Sequence, residues 1–81
     1  MTYAERYPHA HPASLALLPF FEFAHLPAKL QTVSEPFHNL AHALLDGVDG
    51  NSLRTPLNGP ELTVALRKLL EAKDCAVRAA L

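Results

Sequence analysis

The stretch Pro60-Glu-Leu-Thr-Val-Ala-Leu-Arg-Lys-Leu-Leu-Glu-Ala-Lys-Asp-Cys-Ala-Val-Arg-Ala-Ala-Leu81 decides the fold. Proline at the first helical position loses nothing by lacking an N–H, and Glu61 suits the positive end of the helix dipole. From there to Leu81 no residue interrupts a helix. Leu62, Ala65, Leu66, Leu69, Leu70, Ala72, Ala76, Val77 and Ala80 form a wide apolar arc. Glu61, Arg67, Lys68, Glu71, Asp74 and Arg78 fall opposite it or at its edges. Lys73 alone breaks the pattern: at about 100° per residue it lands inside the arc, between Leu62 and Leu66.

Upstream, Asp46 to Gly59 holds all three glycines and reads as a 14-residue loop. Loops of that length are often functional or mobile. Its Asp-Gly and Asn-Gly steps suggest calcium, but counting from Asp46 puts Leu57 where an EF-hand needs Glu, so calcium is rejected. Before the loop, Leu26, Leu30, Val33, Phe37, Leu40, Ala41 and Leu44 make a single helical stripe, predicting a helix over about 26–45. Pro36 should break a helix, yet the stripe keeps its phase through it, which favours one kinked helix over two. Residues 1–19 carry Pro8, Pro12 and Pro19 and read as an extended arm with one helical turn at Ser14 to Leu18. With Tyr3, Tyr7, His9 and His11, the arm is either disordered or laid across a surface.

The expected architecture is all-α: an arm over 1–19 and a hairpin domain over 20–81, with helices at 26–45 and 60–81 around loop 46–59. Composition agrees. Among 81 residues, 49% hydrophobic and 19% charged, there is no Ile and little Val or Thr, so a sheet is disfavoured. A lone hairpin buries one stripe of each helix, and the second helix offers more than that. One Cys allows no internal disulfide, and chains of this size rarely stand on one small core. A homo-oligomer of hairpins is therefore expected. A net charge of −1 argues against a DNA or RNA polymer as partner. The N-terminal dodecapeptide lacks the basic-then-apolar pattern of a secretory signal, and the apolar run from Leu15 to Phe23 is far short of the roughly 20 residues of a bilayer span, so a cytoplasmic protein without membrane partners is expected.

Candidate chemistry is sparse. Glu35, His38 and His42 share a helix face at E-x-x-H-x-x-x-H spacing, which can ligate zinc or iron; the plainer account is a polar flank, and no metal is assigned. Cys75 has no base near it in sequence and reads as structural; no enzyme activity and no cofactor are expected. Lys73 either snorkels to water or faces an inter-subunit pocket for an anion. The segment Phe20-Phe-Glu-Phe-Ala-His-Leu-Pro27 is either a hydrophobic lid over the hairpin end or a stacking platform for bases.

Three stretches together resemble a family: Phe21-Glu-Phe-Ala-His-Leu-Pro27, Phe37-His-Asn-Leu-Ala41, and Pro60-Glu-Leu-Thr-Val-Ala-Leu-Arg-Lys-Leu-Leu-Glu-Ala72. They are similar to the phage cyclic-oligonucleotide sponges of the anti-CBASS two type, whose two-helix hairpin is shared with an anti-Thoeris sponge. The resemblance covers residues 21–81. It implies a homohexamer of hairpins that sequesters cyclic di- or trinucleotide, or cyclic ADP-ribose type, immune messengers without cleaving them. It also implies that this happens in the cytoplasm of the infected bacterial host. On the family pattern Phe23 takes the place of an aromatic, usually Tyr, that covers a base, with His25 and Pro27 beside it. His38 stands where the family often has Lys. Thr63 matches a Ser/Thr at the start of the second helix, and Arg67 or Lys73 supplies a basic residue there. Departures are the lost Tyr hydroxyl, the lost fixed charge at His38, and Leu69-Leu70 in place of a Leu-Glu pair. The competing expectation is a small helical phage structural or adaptor protein that binds partner proteins.

Overall fold

Two long helices organise the chain. The computed structural model describes residues 2–48 and 57–81, so the predicted loop lies mostly outside the described residues, as does most of the stretch weighed for calcium. α1 spans Tyr3–Arg6, α2 Pro12–Leu15, a 3₁₀ turn Leu18–Phe21, α3 Ala28–Val48 and α4 Gly59–Ala79. Among the described residues there is no strand.

α3 runs unbroken through Pro36, so the in-phase stripe does belong to one helix. α4 begins with Asn58 as N-cap: its Oδ1 accepts the Glu61 N–H at 3.0 Å, satisfying one of the free donors of the first turn. Pro60 lies in that turn. α3 and α4 pack together, and Ala41 and Leu45 from the second half of α3 share a core with Leu62 and Leu66 from the first half of α4. That pairing makes an antiparallel hairpin.

Residues 1–19 are expected as an extended arm with one turn at Ser14 to Leu18; three short helical elements lie within residues 2–21. Local chemistry accounts for each. Thr2 and Glu5 form a reciprocal capping box, both bonds 3.1 Å. His11 caps α2 through Nδ1, which accepts the Ala13 N–H at 3.0 Å, and Pro12 takes the first-turn position. The prolines begin turns here and do not hold the chain extended.

These elements fold back onto the hairpin, α2 on α4 and the 3₁₀ turn on α3. Tyr7, Leu18 and Phe21 are fully buried and complete the core with Ala41, Leu45, Leu62 and Leu66. Each such burial stabilises by about 1.5–3 kcal/mol. Part of the apolar surface that sequence reasoning left to a second copy is thus covered within the chain. Phe20, Leu40, Val64 and Leu81 remain outside as large exposed apolar side chains. Among the described residues no helix is long and apolar enough to cross a membrane.

Candidate functional site

The turn between the 3₁₀ element and α3 is fixed from both sides. The Leu26 N–H bonds the Phe23 carbonyl at 3.0 Å. From α3, Gln31 Nε2 donates to the Leu26 carbonyl at 2.7 Å and to that of Ala24 at 3.3 Å. Pro27 then passes its carbonyl to the first α3 donors, Leu30 at 2.9 Å and Gln31 at 3.0 Å. A short irregular segment held this way presents its side chains rigidly.

What it presents is a ring. Phe23 meets His38 of α3 edge-on, centroids 5.1 Å apart at 74°. Around this pair lies an open cup of about 280 Å³, lined by Glu22, Phe23, Ala24, His25 and His38. Ligand pockets commonly run from about 300 to 1,000 Å³, so the cup is at the small end of that range, with room for a single base. A larger concavity of about 340 Å³ surrounds Pro36 on α3, lined by Thr32, Glu35, Pro36 and Asn39. It has no aromatic wall, so it offers no surface for stacking.

Beneath the cup runs a polar seam along one face of α3. Ser34, His38 and His42 are spaced four apart, and Ser34 Oγ, His38 Nδ1 and His42 Nε2 are buried without a partner. The rings of His38 and His42 lie 4.4 Å apart. Nδ1 of His42 hydrogen-bonds the Tyr7 hydroxyl at 2.5 Å, and the Tyr3 ring lies 5.8 Å from the imidazole. Burial, reinforced by positive charge on His38 and Arg6, pushes His42 down to about 4; Asp46 pulls the other way. His42 is therefore neutral at pH 7. Burial, with Asp46 next, raises the Tyr7 phenol, keeping its proton available for the bond to His42. The Tyr3 phenol is raised chiefly by donating to Glu22 Oε1 at 2.8 Å.

The residues singled out from sequence separate into two groups. Phe23, His25 and His38 line the cup, and exposed Pro27 follows on the same turn. Thr63, Arg67 and Lys73 do not line it. The buried Thr63 hydroxyl pairs with Ser14 Oγ at 2.7 Å and donates to the Gly59 carbonyl at 3.2 Å. Arg67 is exposed on α4. Lys73, its side chain 13% exposed, donates to the Phe20 carbonyl at 2.8 Å and sits 3.4 Å from Asp74. Its place in the apolar arc is explained by that carbonyl: the ammonium ties α4 to the end of the 3₁₀ turn.

Glu35 is exposed and His42 is engaged by Tyr7, so the Glu35–His38–His42 spacing does not assemble a ligand set. Among the described residues no three His, Cys, Asp or Glu side chains converge to hold a metal. Cys75 is exposed, with Arg78 Nη2 at 3.3 Å from Sγ. Glu22 is not among the residues singled out from sequence; Tyr3 and Tyr7 are noted there only as rings of the N-terminal arm. Glu22 had a signal, being the one charged residue within Phe20–Phe23. No family model, characterised protein or solved structure matches this chain.

Proposed function

We propose that the chain is a phage-encoded sponge that binds cyclic di- or trinucleotide, or cyclic ADP-ribose type, immune messengers and holds them without cleaving them. The observation that carries this reading is the Phe23–His38 ring pair at a base-sized cup. These are the two positions that the family resemblance assigns to base and phosphate contact. They come from separate elements, fifteen residues apart. Stacking on an aromatic side chain is worth about 1–3 kcal/mol per base and tolerates any base. The buried Nδ1 of His38 leaves Nε2 as the nitrogen that a phosphate oxygen can reach.

One cup is too small for a whole cyclic dinucleotide. A symmetric assembly that repeats it supplies several weak contacts to one symmetric ligand. The family resemblance adds that the assembly is a homohexamer and that it works in the cytoplasm of the infected host. Exposed Phe20, Leu40, Val64 and Leu81 supply apolar surface for such contacts between copies. The same surface is the observation that favours the second reading, an adaptor that docks on partner proteins.

Native mass spectrometry with cyclic di- and trinucleotides and cyclic ADP-ribose isomers tests both at once. A sponge gives a homo-oligomer carrying the messenger, recovered at unchanged mass after denaturation. Failure to retain any of them sinks the sponge reading and leaves the adaptor. Recovery of an altered product shows an enzyme instead.

A further inference from the structure

We propose that Glu22 makes this cup selective for a base edge with two adjacent N–H donors, so that guanine is held in preference to adenine. The inference rests on the messenger-binding reading and adds what the messenger contains.

Glu22 lines the cup beside Phe23, and among the described residues the ion pair is Lys73–Asp74, with no cation bridged to Glu22. A carboxylate at the wall repels phosphate, so the phosphates lie toward His25 and His38 and the base lies toward Glu22 and Phe23. The carboxylate is also anchored. Tyr3 donates its hydroxyl to Oε1 at 2.8 Å, and Tyr3 belongs to α1, whose start is locked by the Thr2–Glu5 capping box. The Glu22 side chain and α1 hold each other.

A carboxylate accepts and does not donate. The Watson–Crick edge of guanine offers N1–H and N2–H₂ side by side, and one carboxylate can take both while the ring stacks on Phe23. Adenine offers one donor beside the lone pair of N1. Against Glu22 it gains one hydrogen bond and sets a lone pair against a negative oxygen. Specificity of this kind arises as much from the repelled competitor as from the matched ligand. A good bidentate pair discriminates by about 1–3 kcal/mol, and in an open cup the lower half of that range applies, or roughly tenfold in affinity.

The test is a calorimetric titration of the full chain with cyclic di-GMP, cyclic GMP–AMP, cyclic di-AMP and cyclic tri-AMP. The wild-type protein should bind cyclic di-GMP about tenfold more tightly than cyclic di-AMP. Glu22→Gln presents one acceptor and one donor, which matches adenine, and should abolish or reverse the preference. Tyr3→Phe keeps the carboxylate, frees it from its anchor, and should narrow the preference without weakening cyclic di-AMP. Circular dichroism melts confirm that both variants fold; Glu22 is exposed, and Tyr3→Phe removes only a hydroxyl. Equal binding of guanine and adenine rings, binding of the all-adenine rings alone, or a preference unchanged by Glu22→Gln overturns the inference and leaves the sponge reading standing. Retention of none of the four overturns the inference; if cyclic ADP-ribose isomers also fail to bind, the sponge reading falls with it.

Discussion

The hairpin and the segment that folds onto it obey different rules. α3 and α4 are helices by their own sequence: a continuous apolar stripe, a proline in the first turn of α4, and 21 residues each. Residues 2–21 form no element longer than four residues, and no apolar period runs through them. Yet this segment contributes Tyr7, Leu18 and Phe21, three of the largest fully buried side chains. Length and periodicity build the scaffold, and isolated large side chains from an aperiodic segment finish the core. The stability of such a segment rests on tertiary contact, because helices this short are not stable alone.

Two adjacent residues make the sharpest test. Phe21 is fully buried, and Phe20, one step away on the same turn, is 60% exposed. Phe21→Ala should cost about 3–5 kcal/mol, the usual range for a buried aromatic cut to alanine. Phe20→Ala should stay within about 0.5 kcal/mol at concentrations where the chain is monomeric. Urea midpoints of the two variants measure the contrast directly. Similar losses would mean that the segment does not seat on the hairpin through Phe21.

That contrast also marks what the sequence made legible. The phase of Leu30, Val33, Phe37, Leu40 and Leu44 carries through Pro36 because one helix face is enough to specify the stripe. The order of Phe20 and Phe21 cannot be read this way: both are Phe, and only the fold decides which turns inward. The prolines misled for a related reason. Pro12 reads as a break until His11 is seen as its N-cap, and the Thr2-x-x-Glu5 box is visible in sequence but too short to predict a stable helix by itself. Phe23, His25 and His38, named from sequence, line one cup. The pairings that cross the molecule could not be read this way: Thr63 finds Ser14 49 residues away, and Lys73 finds a backbone carbonyl, which carries no side-chain signal at all.

Buried groups that are paired and buried groups that are not differ in their response to acid. His42 is 7% exposed, with one ring nitrogen on Tyr7 and the other unpaired. Its folded-state value of about 4 lies below the ordinary 6.5. Between those values the unfolded chain binds the proton more readily than the folded one. Stability from neutral His42 is therefore whole above about pH 6.5 and is lost as pH falls toward 4. The loss is on the order of 3 kcal/mol. Urea midpoints from pH 7.5 to 4 read it. The slope should flatten in His42→Gln, which cannot titrate, even though that variant begins less stable. A slope that persists in the variant would assign acid sensitivity elsewhere.

The smallest effect expected concerns Ser14 and Thr63, the paired counterpart of the unpaired seam. Their hydroxyls meet at 2.7 Å in a buried position where α2 crosses α4. Removing one leaves the other without this partner, at about 1–3 kcal/mol; Thr63 retains the Gly59 carbonyl and should lose less when Ser14 is cut. Removing both restores a balance, so Ser14→Ala with Thr63→Val should be less destabilised than the two single changes added together, by about 1 kcal/mol. The same variants separate two roles for Thr63. If its hydroxyl serves only to join the N-terminal segment to α4, the double variant keeps the messenger affinity of the wild-type chain once folded. If Thr63 meets the ligand across an interface between copies, affinity falls in Thr63→Val and not in Ser14→Ala. The coupling belongs to the fold and the affinity to the assembly, and one set of three proteins reads both.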